Sequence, residues 1–121
     1  PKDGRIQRTQ RSAAHAVFGA VMPLTQSGDV YVVATPGHTG GHQSVVIDLG
    51  DRRVLLAGDS AFDDQQVRDG TIPGIVEDRA ATLSTYAVLH RAAEEKPTLS
   101  LFTHDPANRR KLEAFAPASR S

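Results

Sequence analysis

Three short segments of this chain carry side chains able to do chemistry, and each directly follows an apolar, β-branched run. The first is Thr35-Pro36-Gly37-His38-Thr39-Gly40-Gly41-His42, with two imidazoles four residues apart. On a helix that spacing would present both rings on one face to a metal, as in the His-Glu-x-x-His pattern. Here no Glu follows His38, Pro36 opens the segment, and Gly40 and Gly41 each disfavour helix by about 1 kcal/mol, so it must be a loop. The second is Gly58-Asp59, immediately after Val54-Leu55-Leu56-Ala57. A carboxylate at the end of a buried strand is costly unless something pairs with it, and a metal ion is the strongest partner available. The third is His104-Asp105-Pro106, after the run Thr98 to Thr103.

Imidazole and carboxylate are the ligand types shared by zinc, iron and manganese, and a carboxylate can bridge two ions about 3.5 to 4 Å apart. His38, Asp59 and His104 therefore form a partial metal set. Taken singly, a loop histidine is usually an ordinary polar residue, and an Asp after a strand usually caps a turn or helix. Their shared position just past strand ends favours a site, because α/β architectures gather their ligands there. His42 reads as a residue that hydrogen-bonds to hold the loop in shape rather than as a ligand. His15, His90 and the pair Arg109-Arg110 read as packing or solvated surface residues.

The elements that must position these groups are legible in outline. Residues 1–28 read as a polar lead-in, 29–115 as the core and 116–121 as a Ser/Ala/Pro tail. Asp29 to Ala34 predicts a strand. Gln43 to Leu49 and Arg53 to Ala57, joined at Gly50-Asp51, predict a hairpin. Their continuous apolar centres, Val45-Val46-Ile47 and Val54-Leu55-Leu56, predict strands covered on both faces. Residues 63–76 read as an irregular connection. Asp78 to about Lys96 predicts a long helix with Leu83, Tyr86, Leu89 and Ala93 on its apolar side, stopped by Pro97. A last strand, Thr98 to Thr103, and a short helix, Ala107 to Phe115, complete the pattern.

With 121 residues, 39% hydrophobic and 23% charged, the chain has the length and balance of one globular domain or a piece of one. Fourteen basic and fourteen acidic side chains cancel, which leaves no electrostatic footprint for nucleic acid or an anionic membrane. The absence of cysteine excludes disulfides, thiolate catalysis and Cys-based zinc sites. No apolar run is long enough to span a bilayer, so a soluble, cytoplasmic location is expected. The chain opens with Pro1-Lys2-Asp3 rather than Met, as a processed chain or an incomplete reading frame would.

In order and spacing, Thr35-Pro36-Gly37-His38-Thr39 with Gly41-His42, then Leu56-Ala57-Gly58-Asp59, then Thr103-His104-Asp105 resemble the later motifs of metallo-β-lactamase-fold hydrolases. The likeness runs from about Val30 to Leu112. Gly41-His42-Gln43-Ser44 and His104-Asp105-Pro106 resemble the N-acyl homoserine lactonase group most, with glyoxalase II-like thioesterases the nearest alternative. The resemblance implies an α/β (α+β) fold, the C-terminal half of an αββα sandwich, with a mixed sheet and a long flanking helix. It implies two divalent metal ions, zinc with iron or manganese as alternatives. His38 would bind the first, His104 the second, and Asp59 would bridge both and orient a metal-bound hydroxide that attacks a small-molecule ester or lactone carbonyl.

The family's other ligands come from a His-x-His-x-Asp-His motif upstream, and between Pro1 and Ala34 this chain has only His15. The two ions would thus be incompletely ligated here, below the three protein ligands usual for catalytic zinc. Phe62 stands where the lactonase group has a substrate-facing tyrosine, and its ring cannot donate a hydrogen bond. Two expectations follow. Either the chain is a fragment, inactive alone, whose missing N-terminal half supplies the rest, or it is a non-catalytic half-fold that buries its apolar sheet against a partner or as a homodimer.

Overall fold

The computed structural model describes residues 14–72 and 76–115. Six strands form one sheet in sequence order: β1 (Ala14–His15), β2 (Gly19–Pro23), β3 (Val30–Ala34), β4 (Gln43–Asp48), β5 (Arg53–Gly58) and β6 (Thr98–Phe102). Neighbours β1 to β5 pair antiparallel, and β6 pairs parallel with β5. The sheet is therefore mixed, as expected. The parallel step needs a crossover, and the long helix provides it.

Three helices accompany the sheet: α1 (Asp64–Asp69), α2 (Arg79–Glu95) and α3 (Asn108–Phe115). Asp78 caps α2 by accepting the Ala81 amide at 3.0 Å, and Lys96 ends it before Pro97. The buried side of α2 is Thr82, Thr85, Tyr86, Leu89 and Ala92, whereas Leu83 and Ala93 face solvent. The expected stripe is thus turned toward the threonines. Their hydroxyls bond to backbone carbonyls, Thr82 to Asp78 and Thr85 to Pro36, which makes them cheap to bury.

Tyr86, Leu89 and Ala92 belong to one core with Val21, Tyr31, Val33, Val46, Leu55, Ala57 and Phe102 from one face of the sheet. On the other face, the register aligns Met22, Val32, Val45 and Leu56 across four strands, with Val30, Ile47 and Val54 beside them. Met22 is 37% and Leu56 41% exposed, and the valines and Ile47 are half-buried. The expectation of cover on both faces is thus met on one face only. An apolar run this continuous suits a strand sandwiched between layers, and the described residues provide one of the two.

Two further differences concern short elements. The hairpin β1–β2 lies within residues 1–28, where no periodicity marks it, and is held by Phe18 and Val21 in the core. Helix α1 occupies part of the stretch read as irregular. Asp63 caps it by accepting the Gln66 amide at 2.9 Å, and Gly70 closes it at φ 71°. Residues 1–13 and the tail 116–121 lie outside the described residues.

Candidate metal centre

The loop from Thr35 to His42 joins β3 to β4 at one end of the sheet, and α2 clamps it. Thr35 N–H donates to His42 O at 3.0 Å, which closes the loop across its base. Gly37 O accepts the Asp78 amide at 3.0 Å and His38 O the Glu77 amide at 3.2 Å, while Thr85 Oγ1 donates to Pro36 O at 2.7 Å. The Glu77 carboxylate accepts the Gly40 amide at 2.6 Å. Gly37 has φ +143°, and a Cβ there would stand 2.7 Å from the Thr82 Cα, so glycine is required where loop and helix meet.

The two loop histidines have different surroundings. His38 is exposed, and among the described residues its ring has no hydrogen-bonding partner. His42 is half-buried and engaged at both nitrogens. Its Nε2 accepts the Asp59 amide at 3.1 Å, and its Nδ1 lies 2.9 Å from Thr35 Oγ1. A ring with both nitrogens engaged has none left for an ion.

Asp59 follows Gly58 at the end of β5, and His104 follows β6 next to it. The parallel pairing of β5 with β6 brings the two together, with His104 Nε2 3.4 Å from Asp59 Oδ1. That contact lies within ion-pairing range but does not meet hydrogen-bond geometry. Asp59 Oδ1 is buried and has no hydrogen-bond partner among the described residues, although the side chain as a whole is 40% exposed. A buried anionic oxygen without a donor is costly, and a cation beside His104 removes that cost. The donor set, one carboxylate and imidazoles, fits zinc, iron or manganese. Among the described residues no three His, Asp or Glu side chains stand close enough to enclose one ion. Asp59 and His104 are thus brought together, whereas His38 is not gathered with them into such a group.

Phe62 stacks its ring on His104, at 5.9 Å and 21°, and is 51% exposed. It gives the site an apolar wall. Behind His104, the Asp105 carboxylate accepts the Ala107 amide at 2.8 Å and the Lys111 ammonium at 3.0 Å, and Lys111 also reaches Asp64 at 2.8 Å. Burial raises the Asp105 carboxyl, but these donors outweigh it and hold the group below the usual carboxylate range. Lys111 thereby ties the start of α1, five residues after Asp59, to the turn that carries His104. The contacts of Lys111 and Thr35 are not legible in the sequence, because their partners come from other elements or from across a loop.

The residues set aside behave as expected. His90 is exposed and lies 3.8 Å from Glu94 on α2. His15 packs on Phe18 and Tyr31, with Nδ1 accepting the Val17 amide at 3.0 Å. Arg109 and Arg110 are exposed on α3.

A mixed sheet with flanking helices, a helix-clamped histidine loop and an Asp–His pair at adjoining strand ends describe an α+β domain with a candidate site at one end of its sheet. The chain belongs to the metallo-beta-lactamase superfamily, whose family model matches residues 25–113. It is similar to the N-acyl homoserine lactonase AttM of Rhizobium radiobacter, 29% identical over 92 residues that make up 73% of this chain and 35% of that protein. The same protein of Agrobacterium fabrum matches to the same extent. Among solved structures, an N-acyl homoserine lactone hydrolase with the product N-hexanoyl-L-homoserine at its catalytic metal centre superposes with a TM-score of 0.62 at 25% identity. That match covers 74% of this chain and 35% of the other. A quorum-quenching N-acyl homoserine lactone hydrolase gives 0.57 at 28% identity, over 68% and 34%. The chain therefore spans about a third of the length of these relatives. They are the group that its motifs resemble. Among the described residues no helix is long and apolar enough to cross a membrane.

Proposed function

We propose that the chain is the part of a metal-dependent lactone or ester hydrolase that contributes His38, Asp59 and His104 to a two-ion centre. The observation that carries this reading is the buried, unpartnered Asp59 Oδ1 facing His104 Nε2 at 3.4 Å. In this reading His38 would serve one ion, His104 the other, and Asp59 both. Bound divalent ions, zinc first, would polarise the carbonyl and lower the pKa of the attacking water. This chain's residues would do the positioning. Asp59 orients the nucleophile, and the Phe62 ring excludes water and receives an apolar part of the substrate without donating to its carbonyl.

The remaining ligands, in this reading, come from a His-x-His-x-Asp-His segment of a longer protein, and the open sheet face packs on the layer that bears it. Coverage of only about a third of each relative supports this. A lactone-opening assay with zinc tests it. The 121-residue chain is expected to show no turnover, and a longer polypeptide containing the histidine-rich segment is expected to open an acyl homoserine lactone. Enzyme-like turnover by the chain alone would overturn the missing-ligand reading. The half-exposed apolar face also fits a non-catalytic half-fold that dimerises. That reading predicts a stoichiometric dimer in sedimentation and no activity in any longer form.

A further inference from the structure

Behind Asp59 a chain of polar groups runs into the core. The Asp59 amide donates to His42 Nε2 at 3.1 Å, His42 Nδ1 lies 2.9 Å from Thr35 Oγ1, and Thr35 Oγ1 lies 2.7 Å from Ser44 Oγ. Thr35 and Ser44 are each 1% exposed. A count of protons fixes the arrangement. A nitrogen that accepts from a backbone N–H carries no proton, so a neutral His42 must carry its proton on Nδ1 and donate it to Thr35. Thr35 Oγ1 accepts that hydrogen, and in its contact with Ser44 either hydroxyl can be the donor. In the other tautomer Nε2–H would face the Asp59 N–H, two donors with no acceptor between them.

We propose that Thr35, backed by Ser44, is a positioning residue for Asp59: its hydroxyl accepts the Nδ1–H of His42, which supports the tautomer whose bare Nε2 anchors the amide of the metal-facing aspartate. The importance of Asp59 rests on the proposed function, but the tautomer and the anchor do not. Gly58 is part of the device. A Cβ there would lie 3.0 Å from His42 Nε2, so the missing side chain is what lets the ring reach the strand end. The same device takes His42 out of the ligand set and leaves His38 as the loop histidine open to an ion.

The test is long-range 1H–15N correlation on the histidine-labelled chain, above the pH at which imidazoles protonate, for wild type, Thr35→Val and Thr35→Ser. Wild type and Thr35→Ser are expected to hold the proton on Nδ1 of His42. Thr35→Val is expected to populate the Nε2–H form, to shift the Asp59 amide resonance, and to lower cobalt affinity by roughly tenfold, the smaller effect typical of groups that orient a ligand from behind. A Thr35→Val protein with an unchanged tautomer and an unmoved Asp59 amide would overturn the proposal. So would a wild-type ring protonated on Nε2, a result that does not depend on any variant folding. If cobalt binds no variant while the tautomer and amide respond as expected, the positioning role is supported and the metal reading fails.

Discussion

Gly58 is the residue on which the geometry of the candidate centre depends most narrowly. Its φ of +56° is left-handed, and a side chain there would press on His42. Gly58→Ala is expected to destabilise the chain by about 1–2 kcal/mol from the backbone conformation alone, measured by chemical denaturation, and to displace the Asp59 amide. His15 makes a different prediction. Burial lowers its pKa below the ordinary value; Glu95 and Asp48 oppose that shift, while Arg53 and Lys96 reinforce it. Because its Nδ1 accepts the Val17 amide, protonation breaks a native hydrogen bond. The group's stabilising effect is full above the unfolded histidine value of about 6.5 and is lost as pH falls through the lower folded value. The melting temperature should therefore fall on acidification from pH 7.5 to 5.5, and fall less in His15→Gln. At this scale Asp59 and His104 are legible because a charged or metal-binding side chain just past an apolar run is conspicuous. Thr35 and Ser44 are not, since a hydroxyl fits buried and exposed positions alike and its partners lie across a loop.

At the scale of elements, the ligand-bearing turns are joined by Lys111. Its ammonium bridges Asp64 at the start of α1 and Asp105 beside His104, and lies 5.3 Å from the centroid of the Phe102 ring. Lys111→Met keeps the apolar stem and removes the charge, leaving the buried Asp105 carboxylate with the Ala107 amide. The expected loss is about 1.5–3 kcal/mol, the range for a hydrogen bond to a charged group, read from denaturant midpoints. Loosening of the His104 turn should appear in amide exchange. Strands β3 to β6 and helix α2 are legible because their apolar runs are long or periodic and end at Gly or Pro. The hairpin β1–β2 is not, because it is short and held by contacts from distant residues such as Tyr31. Helix α1 could have been found from Asp63 and Gly70, its cap and stop, but six residues give no period to read.

At the scale of the whole molecule, the sheet has one finished face and one open one. Helix α2 covers the first, whereas Met22 and Leu56 on the second are more than a third exposed. Val45-Val46-Ile47 and Val54-Leu55-Leu56 announce a two-sided strand, and what covers the second side is not legible in these residues. Leu56→Glu is expected to leave the stability of the isolated chain within about 0.5 kcal/mol, as for a surface substitution, and to reduce both hydrophobic-dye binding and self-association in sedimentation velocity. The same substitution should abolish assembly with any layer that packs on this face. The chain belongs to the metallo-beta-lactamase superfamily, and the proposed function requires that the chain's own residues hold an ion. Titration of the isotope-labelled chain with cobalt, followed by NMR, measures that directly. The expected result is paramagnetic broadening centred on Asp59 and His104 and extending to His38, lost in Asp59→Asn. Broadening centred on His15 or His90, or none at these three residues, would contradict it.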